Sequence, residues 1–266
     1  MFTLRQYLLA LLDSRGLTRT LGEIDVCRDE QGRPCFSAGN SAAVFRIRLG
    51  GRIRSLRCYL RPMRHLKEIY GQRLLEKELY LHTSPETGVW VDTVLGDWIE
   101  GSTLHETVAQ AAALRDRESL QILVRLFDRL ALALVTDDRA HGDLKPENII
   151  VGDDGTLCPI DFDASYLPAF AGEISPELGT AAYQHPARTA ADFDERIDDY
   201  PAALISTALH ALAENPTLWD RYGSSDGLLY TPQRIASDPA YRETLALFEK
   251  RGMAVQYRIA QLLTAP

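Results

Sequence analysis

In the stretch His141–Ile150, "HGDLKPENII", a histidine, an aspartate, a lysine and an asparagine crowd into less than three turns of chain. A further aspartate, Asp161, follows in "IDFDAS". Hard oxygen ligands such as Asn148 and Asp161 suit Mg²⁺, which keeps several waters and takes other ligands from phosphates. A carboxylate on the preceding turn, Asp143, can orient a hydroxyl. A lysine two residues on, Lys145, can neutralise charge on a phosphoryl group in transfer. The plain alternative is a solvated turn.

Such chemistry needs elements that bring these residues together. "NIIV" and "LCPI" flank "GDDG", which predicts a short hairpin with Asn148 just before one strand and Asp161 just after the other. The run from Ser102 to Asp138 is long and helix-rich. The N-terminal third is strand-rich instead. "CFSAGNSAAVFRIRLGGRIRSLRCYLR" reads as strand, loop, strand, tight turn, strand, with Gly50-Gly51 as a two-residue hairpin signal. "HLKEIYGQRLLEKELY" has the composition of a helix, and "VWVDTVLGDWIEG" returns to strand and stops at Gly101. At the N-terminus, Leu4, Leu8, Leu11 and Leu12 share one helical face, predicting a docked amphipathic helix. The pattern is that of an α+β protein in two lobes, joined near Asp97–Gly101.

The bulk properties limit the function classes. The chain has 266 residues, 45% apolar and 25% charged, which is ordinary for a water-soluble protein. No span approaches the roughly 20 apolar residues of a membrane helix. The net charge of −8 argues against a general nucleic-acid binder. Basic residues nevertheless crowd one region, with Arg46, Arg48, Arg52, Arg54, Arg57, Arg61, Arg64, Lys67 and Arg73 against the single acid Glu68. Most of these read as a solvated sheet face. The cysteines Cys27, Cys35, Cys58 and Cys158 show no paired metal spacing, and without a leader segment they read as reduced thiols of a cytoplasmic protein.

"HGDLKPENIIVGDDGTLCPIDFDAS" resembles the catalytic loop and metal-binding segment of the eukaryotic-type protein kinase superfamily, His-Arg-Asp-Leu-Lys-Pro-Glu-Asn followed by Asp-Phe-Gly. The order continues with "GTAAYQHPA" (Gly179–Ala187), similar to the end of an activation segment. It extends to "DDYPAALI" (Asp198–Ile205), similar to the buried helix whose first aspartate supports the catalytic loop. Four motifs in order cover most of the chain, with the last 55 or so residues loosely matched. The resemblance implies a bilobal kinase-like fold. Its parts would be a helical extension over 1–22, a small β-rich N-lobe over 23–96, a hinge over 97–101 and a larger helical C-lobe over 102–266. It implies ATP and Mg bound between the lobes, a protein substrate or partner, and Ser/Thr phosphoryl transfer. Asp143 would be the base or orienter, Lys145 the catalytic cation, and Asn148 and Asp161 the metal ligands.

The nucleotide-binding half matches with substitutions. Aligning on Val44 puts Ser37, Gly39 and Ala42 at the three positions of the glycine-rich loop, so only Gly39 survives. In "RSLR", Arg57 replaces the strand lysine and Ser55 shares its face; Arg61 is an alternative. An arginine can clamp phosphates without being an isostere of lysine. Its acidic partner would be Glu68, or else Glu76. Asp97, Trp98 and Ile99 would form the hinge, Gly96 would stand at the gatekeeper place and leave an open rear pocket, and Ile150 would be a further cofactor-binding residue.

The departures bear on regulation and activity. His141-Gly142-Asp143 lacks the arginine that receives an activation-loop phosphate, Asp163 replaces the glycine after Phe162, and "HPA" replaces Ala-Pro-Glu. Between Phe162 and Pro186 there is no Lys or Arg, while Glu173 and Glu177 would repel a phosphate. The expectation is activity independent of phosphorylation at Ser165, Tyr166, Ser175, Thr180 or Tyr183. Two other readings stay open: a pseudokinase acting as a nucleotide-binding or scaffold module, and a small-molecule phosphotransferase, since His-Gly-Asp also occurs in that class.

Overall fold

A computed structural model describes residues 1–265, which fall into two units, Met1–Trp98 and 99–265. The chain is α+β. The first unit opens with α1 (Leu4–Leu12), whose start is fixed by a capping box: Gln6 N–H donates to Thr3 Oγ1 at 3.3 Å and Thr3 N–H donates to Gln6 Oε1 at 2.9 Å. Its strands are β1 (Asp25–Val26), β2 (Phe36–Ala38), β3 (Ala42–Leu49), β4 (Arg52–Tyr59), β5 (Leu74–His82) and β6 (Gly88–Asp97). They form one antiparallel sheet in the order β1-β3-β4-β6-β5, with β2 also paired to β3. Gly50 and Gly51 both take left-handed backbone, φ 55° and 79°, as a two-residue type I′ turn demands, and they set Leu49 opposite Arg52.

That register decides what each sheet face carries. Phe45 lies opposite Leu56 and Ala43 opposite Cys58, and these residues form a buried cluster with Ile47, Leu79 and Leu81. The helix α1 closes the cluster through Tyr7, Ala10 and Leu11, and the Tyr7 hydroxyl donates to the Tyr59 carbonyl at 2.6 Å. Of the four leucines expected on the docked face, Leu11 is buried, Leu4 and Leu8 pack against the cluster partly buried, and Leu12 does not. Leu12 is 45% exposed, because Tyr7 and its i+3 and i+4 neighbours Ala10 and Leu11 define the buried face.

The helix expected over residues 65–80 is a single turn and a half. The helix α2 (Leu66–Tyr70) stops where Gly71 enters a left-handed φ of 52°, a short 3₁₀ turn follows, and Leu74–His82 is strand β5. Leu, Glu and Lys favour helix only weakly, and pairing with β6 overrides them. Glu78 on β5 is buried and accepts the amides of Arg19, Thr20 and Leu21 at 2.8–3.1 Å, tying the loop after α1 to the sheet.

The second unit begins with β7 (Gly101–Thr103), which pairs with β8 (Ile149–Gly152), itself paired with β9 (Leu157–Pro159). The helix α3 (Leu104–Ala113) starts on the capping box of Thr103 and Glu106, and α4 (Arg117–Val135) on the Asp116 cap. The helix α5 (Asp199–Glu214) is apolar almost all round, and Leu204, Ile205, Ala208, Leu209 and Leu212 are all at most 3% exposed. It packs with α3, α4, α6 (Leu218–Tyr222), α7 (Pro239–Arg251) and α8 (Ala254–Leu262) in one core. Each large aliphatic side chain buried there contributes about 1.5–3 kcal/mol of transfer free energy. Such a helix is a rigid post, and the catalytic-type loop stands on its N-terminus.

Candidate active site

The loop from His141 to Asn148 is held from below by one carboxylate. Asp198, 1% exposed at the start of α5, accepts the amide of Gly142 at 3.0 Å through Oδ1 and the amide of His141 through Oδ2. Burial pushes the Asp198 carboxyl up, while the His141 ring, these two amides and Arg188 pull it back. His141 is itself fixed at both ring nitrogens. Its Nδ1 lies 3.3 Å from the Asp143 amide, which can only donate, so Nδ1 accepts. Nε2 must then carry the proton and donate to the Ile160 carbonyl at 2.7 Å. The ring also packs on Phe162, with centroids 5.0 Å apart, which couples the loop to the Asp161 segment.

Above that base the expected residues converge. Asp143 Oδ1 accepts the Thr180 amide at 2.6 Å, and Oδ2 lies 3.3 Å from Lys145 Nζ and 3.2 Å from Asn148 Nδ2. Lys145 Nζ also donates to Thr180 Oγ1 at 2.8 Å. A carboxylate offers about four lone-pair positions. Two hydrogen bonds use two of them and Lys145 adds an ion pair, so room is left for a further donor such as a hydroxyl. Asn148 Nδ2 donates to the Asp143 carbonyl at 2.9 Å as well. Both its partners are acceptors, which fixes the amide orientation and leaves Oδ1 as the outward oxygen.

The hairpin β8–β9 delivers the other oxygen ligand. Ile149 pairs with Pro159, and the Ile160 amide donates to the Asn148 carbonyl at 2.8 Å, so Asn148 and Asp161 leave the same end of the hairpin. Asp161 takes a left-handed backbone, φ 67° and ψ 63°. That conformation is uncommon outside glycine, tolerated best by Asn and Asp, and concentrated at functional sites. An Asn oxygen and an Asp carboxylate fit Mg²⁺ chemically, with further ligands coming from water and phosphate. Among the described residues no three His, Cys, Asp or Glu side chains cluster as a self-sufficient metal cage.

Two glycines are required by close approach. Gly142 has φ +80°, and a Cβ there would lie 2.0 Å from the Ala164 carbonyl oxygen. Gly179 has φ +71°, and its Cβ would meet the Gly142 carbonyl oxygen at 2.8 Å and Asp143 Oδ1 at 3.0 Å. The segment ending in Gly179-Thr180 is thus pressed against the loop. Sequence reasoning missed Arg188, which follows "HPA". Its Nη1 donates to the Gly142 carbonyl at 3.1 Å and to Gln184 Oε1. Burial pulls the guanidinium pKa down, and Asp198, Asp143, Asp192 and Asp194 counter it. A cation therefore sits beside Gly142 after all, supplied from outside the motif. Of the five hydroxyls considered for phosphorylation, those of Ser165, Tyr166, Ser175 and Tyr183 belong to buried residues, and that of Thr180 is engaged by Lys145.

The residues expected on the nucleotide side lie mostly in the first unit. Val44 is directly opposite Arg57, so Val44, Ser55 and Arg57 share the sheet face away from the α1 cluster, while Arg54 starts from the other face. Arg54 Nε donates to the Gly96 carbonyl at 2.9 Å and lies 3.4 Å from Asp97 Oδ1. Ser55 Oγ donates to the Asp97 carbonyl at 3.1 Å and stands 2.8 Å from where a Gly96 Cβ would be. A side chain at Gly96 would thus crowd the Ser55 hydroxyl. Gly39 closes the β2–β3 turn by donating to the Ala42 carbonyl at 2.9 Å, and a Cβ there would meet nothing nearer than 4.0 Å. Glu68 is exposed on α2, and Glu76 on β5 lies 3.5 Å from Lys67. Asp97 and Ile99 flank the boundary of the units, and Ile150 is half-buried on β8 opposite Thr103.

No family model matches the chain. It is similar in part to several curated proteins, three of which follow. CBL-interacting protein kinase 17 of Oryza sativa is 28% identical over 172 residues, 61% of this chain and 35% of that protein. Serine/threonine-protein kinase PknL of Mycobacterium tuberculosis is 34% identical over 113 residues, 40% and 27% respectively. Serine/threonine-protein kinase chk1 of Schizosaccharomyces pombe is 25% identical over 160 residues, 58% and 31%. The chain thus spans about a third of the length of the relatives it matches. No helix among the described residues is long and apolar enough to cross a membrane. These partial likenesses are to proteins named as protein kinases, two of the three as serine/threonine-protein kinases, and they support a kinase-like character at the level of a superfamily.

Proposed function

We propose that the chain is an ATP-dependent phosphotransferase of bilobal, protein-kinase-like architecture that acts on Ser or Thr of a protein substrate in the cytoplasm. The observation that carries this reading is the hydrogen-bonded set of Asp143, Lys145 and Asn148 on the Asp198 post, with Asp161 leaving the same hairpin end as Asn148. The division into a β-rich and a helical unit fits the proposed architecture.

In this reading Asp143 uses its remaining lone pair to orient the substrate hydroxyl and draw off its proton. Thr180 and Asn148 hold the carboxylate still, so positioning costs little at the moment of reaction. Lys145, 3.3 Å from Asp143, offers charge to the transferring group while Thr180 keeps its ammonium in place. Asn148 Oδ1 and Asp161 would hold Mg²⁺, and Mg-ATP when bound supplies the phosphoryl group and the neutralising charge. On the first unit, Arg57 would contact phosphate, Val44 and Ser55 would face the base, and the Asp97–Ile99 backbone would meet its edge. Gly39 stands where the fold itself makes no demand for glycine, which fits close backbone approach to a ligand. Exposed Ile174 and Leu178, just ahead of Gly179, offer apolar contact to a peptide.

The test is turnover of ATP with a generic Ser/Thr protein substrate, and with a metabolite panel, in wild type and Asp143→Asn. The expected result is protein-directed turnover abolished by Asp143→Asn with nucleotide binding kept. Full activity of Asp143→Asn would overturn the assignment of the loop. Nucleotide binding without turnover would favour a scaffold role, and turnover of metabolites alone a small-molecule phosphotransferase.

A further inference from the structure

Cys27 and Cys35 form a pair by topology that their spacing does not announce. The strands β1 and β2 run along the same edge of β3, and a hairpin spanning 28–34 is inserted between them. Arg28 bridges Pro34, the Asp29 amide donates to the Arg33 carbonyl at 2.9 Å, and the Cys35 amide donates to the Cys27 carbonyl at 2.8 Å. The two cysteines are therefore opposite one another on the next rung, at the root of the hairpin. Arg46 joins them from β3: the Cys27 amide donates to its carbonyl and its own amide donates to the Cys35 carbonyl, both at 2.9 Å. The hairpin tip is also fixed. Asp29 accepts the amides of Gln31 and Arg33 at 2.9 Å and pairs with the Arg33 guanidinium at 2.8 Å.

Opposed residues of antiparallel strands have Cα atoms about 4.5–5.5 Å apart, inside the roughly 4.4–6.8 Å range of disulfides, and this pair is held by its one direct bond and by the two bonds to Arg46. Both cysteines are partly exposed, so an oxidant reaches them. Cys58 is fully buried, with burial pushing its thiol pKa far up, and Cys158 belongs to the other unit. We propose that Cys27 and Cys35 are an oxidisable thiol pair that closes into an intrachain disulfide under peroxide. One thiol releases its proton and attacks a peroxide oxygen; an S–O bond forms, the O–O bond breaks, and the hydroxide that leaves takes up that proton as water. The second thiol releases its proton and attacks the sulfenic sulfur; the S–S bond forms, the S–O bond breaks, and the hydroxide that leaves takes up the second proton as water. Two thiols are oxidised and one peroxide is reduced to two waters. The link clamps β1 to β2 just ahead of the Gly39 turn.

The experiment is peptide mapping of the full chain after hydrogen peroxide, with alkylation of remaining thiols. Trypsin cuts after Arg28 and not between Arg33 and Pro34, so the two cysteines fall in Thr20–Arg28 and Asp29–Arg46. The expected result is one linked species, lighter by two hydrogen atoms, that separates on treatment with a phosphine. Its yield should not change on dilution, and Cys58 and Cys158 should still alkylate. Cys27→Ser should leave Cys35 trapped by a sulfenic-acid probe with no intrachain link. Wild-type protein in which Cys27 and Cys35 both still alkylate after peroxide, or link to Cys158 or to another chain, would overturn the proposal. The wild-type map decides the matter even if a serine variant fails to fold.

Discussion

Restoring any side chain at Gly142 should damage the protein, even though the resembled motif carries an arginine there. Two costs add. A non-glycine residue held at φ +80° loses roughly 1–2 kcal/mol to left-handed backbone strain. The new Cβ also lands 2.0 Å from the Ala164 carbonyl oxygen, and since ordinary contact begins at 3.4 Å, that peptide must retreat by about 1.4 Å. Overpacking of that kind typically costs about 1–3 kcal/mol more. The total for Gly142→Ala is then about 2–5 kcal/mol. Gly155 supplies a matched control, because its φ is +77° and a Cβ there meets nothing within 4 Å. Gly155→Ala should lose only the strain component, roughly 1–2 kcal/mol. Urea unfolding of both variants and wild type, read at equal m-value, separates the two costs. Variants agreeing within about 0.5 kcal/mol would refute the close approach between the catalytic-type loop and the Asp161 segment.

Phosphatase treatment should leave any activity unchanged, and Ser165→Ala and Ser175→Ala should be silent in the same assay. Both side chains are buried, and Arg188 Nη1 is committed to the Gly142 carbonyl and to Gln184 Oε1; a large loss traced by mass spectrometry to that segment would show Arg188 receiving the phosphate instead. A second prediction concerns the link between α4 and α5, where Asp128 accepts from His210 Nε2 and Ser206 Oγ, each at 2.9 Å. Burial opposes ionisation of Asp128, but these two partners outweigh it and hold its pKa below the usual value. A depressed carboxylate contributes stability that is present above the unfolded pKa of about 4 and is lost as pH falls through the lower folded value. Asp128→Asn should therefore be less stable than wild type at neutral pH, and the gap should close on acidification. A gap that stays constant down to pH 2 in thermal melts would reject the linkage.

What the sequence makes legible is local and periodic. The "GDDG" hairpin, the Gly50-Gly51 turn and the apolar run of α5 each follow from a few adjacent residues, and each is present. The grouping of Asp143, Lys145 and Asn148 follows too, because they lie within one loop. What stays hidden depends on partners far along the chain. Residues 74–82 carry helix-favouring types, and only the register against β6 makes them a strand. Arg188 reaches the Gly142 carbonyl across 46 residues, and Glu78 its amides across nearly sixty, with no spacing rule to reveal either. The pairing of Cys27 with Cys35 emerges only once the inserted hairpin is seen.

The central claim is that Asn148 and Asp161 serve a Mg-nucleotide site. Calorimetric titration of ATP, with and without Mg²⁺, into wild type and Asp161→Asn tests it before any substrate is known. The account predicts Mg-dependent binding to wild type, with a matching rise in melting temperature, and loss of the Mg-dependent part in Asp161→Asn. Wild-type protein that binds no Mg-ATP at millimolar concentration, or an Asp161→Asn variant that binds it as well as wild type, would contradict the account.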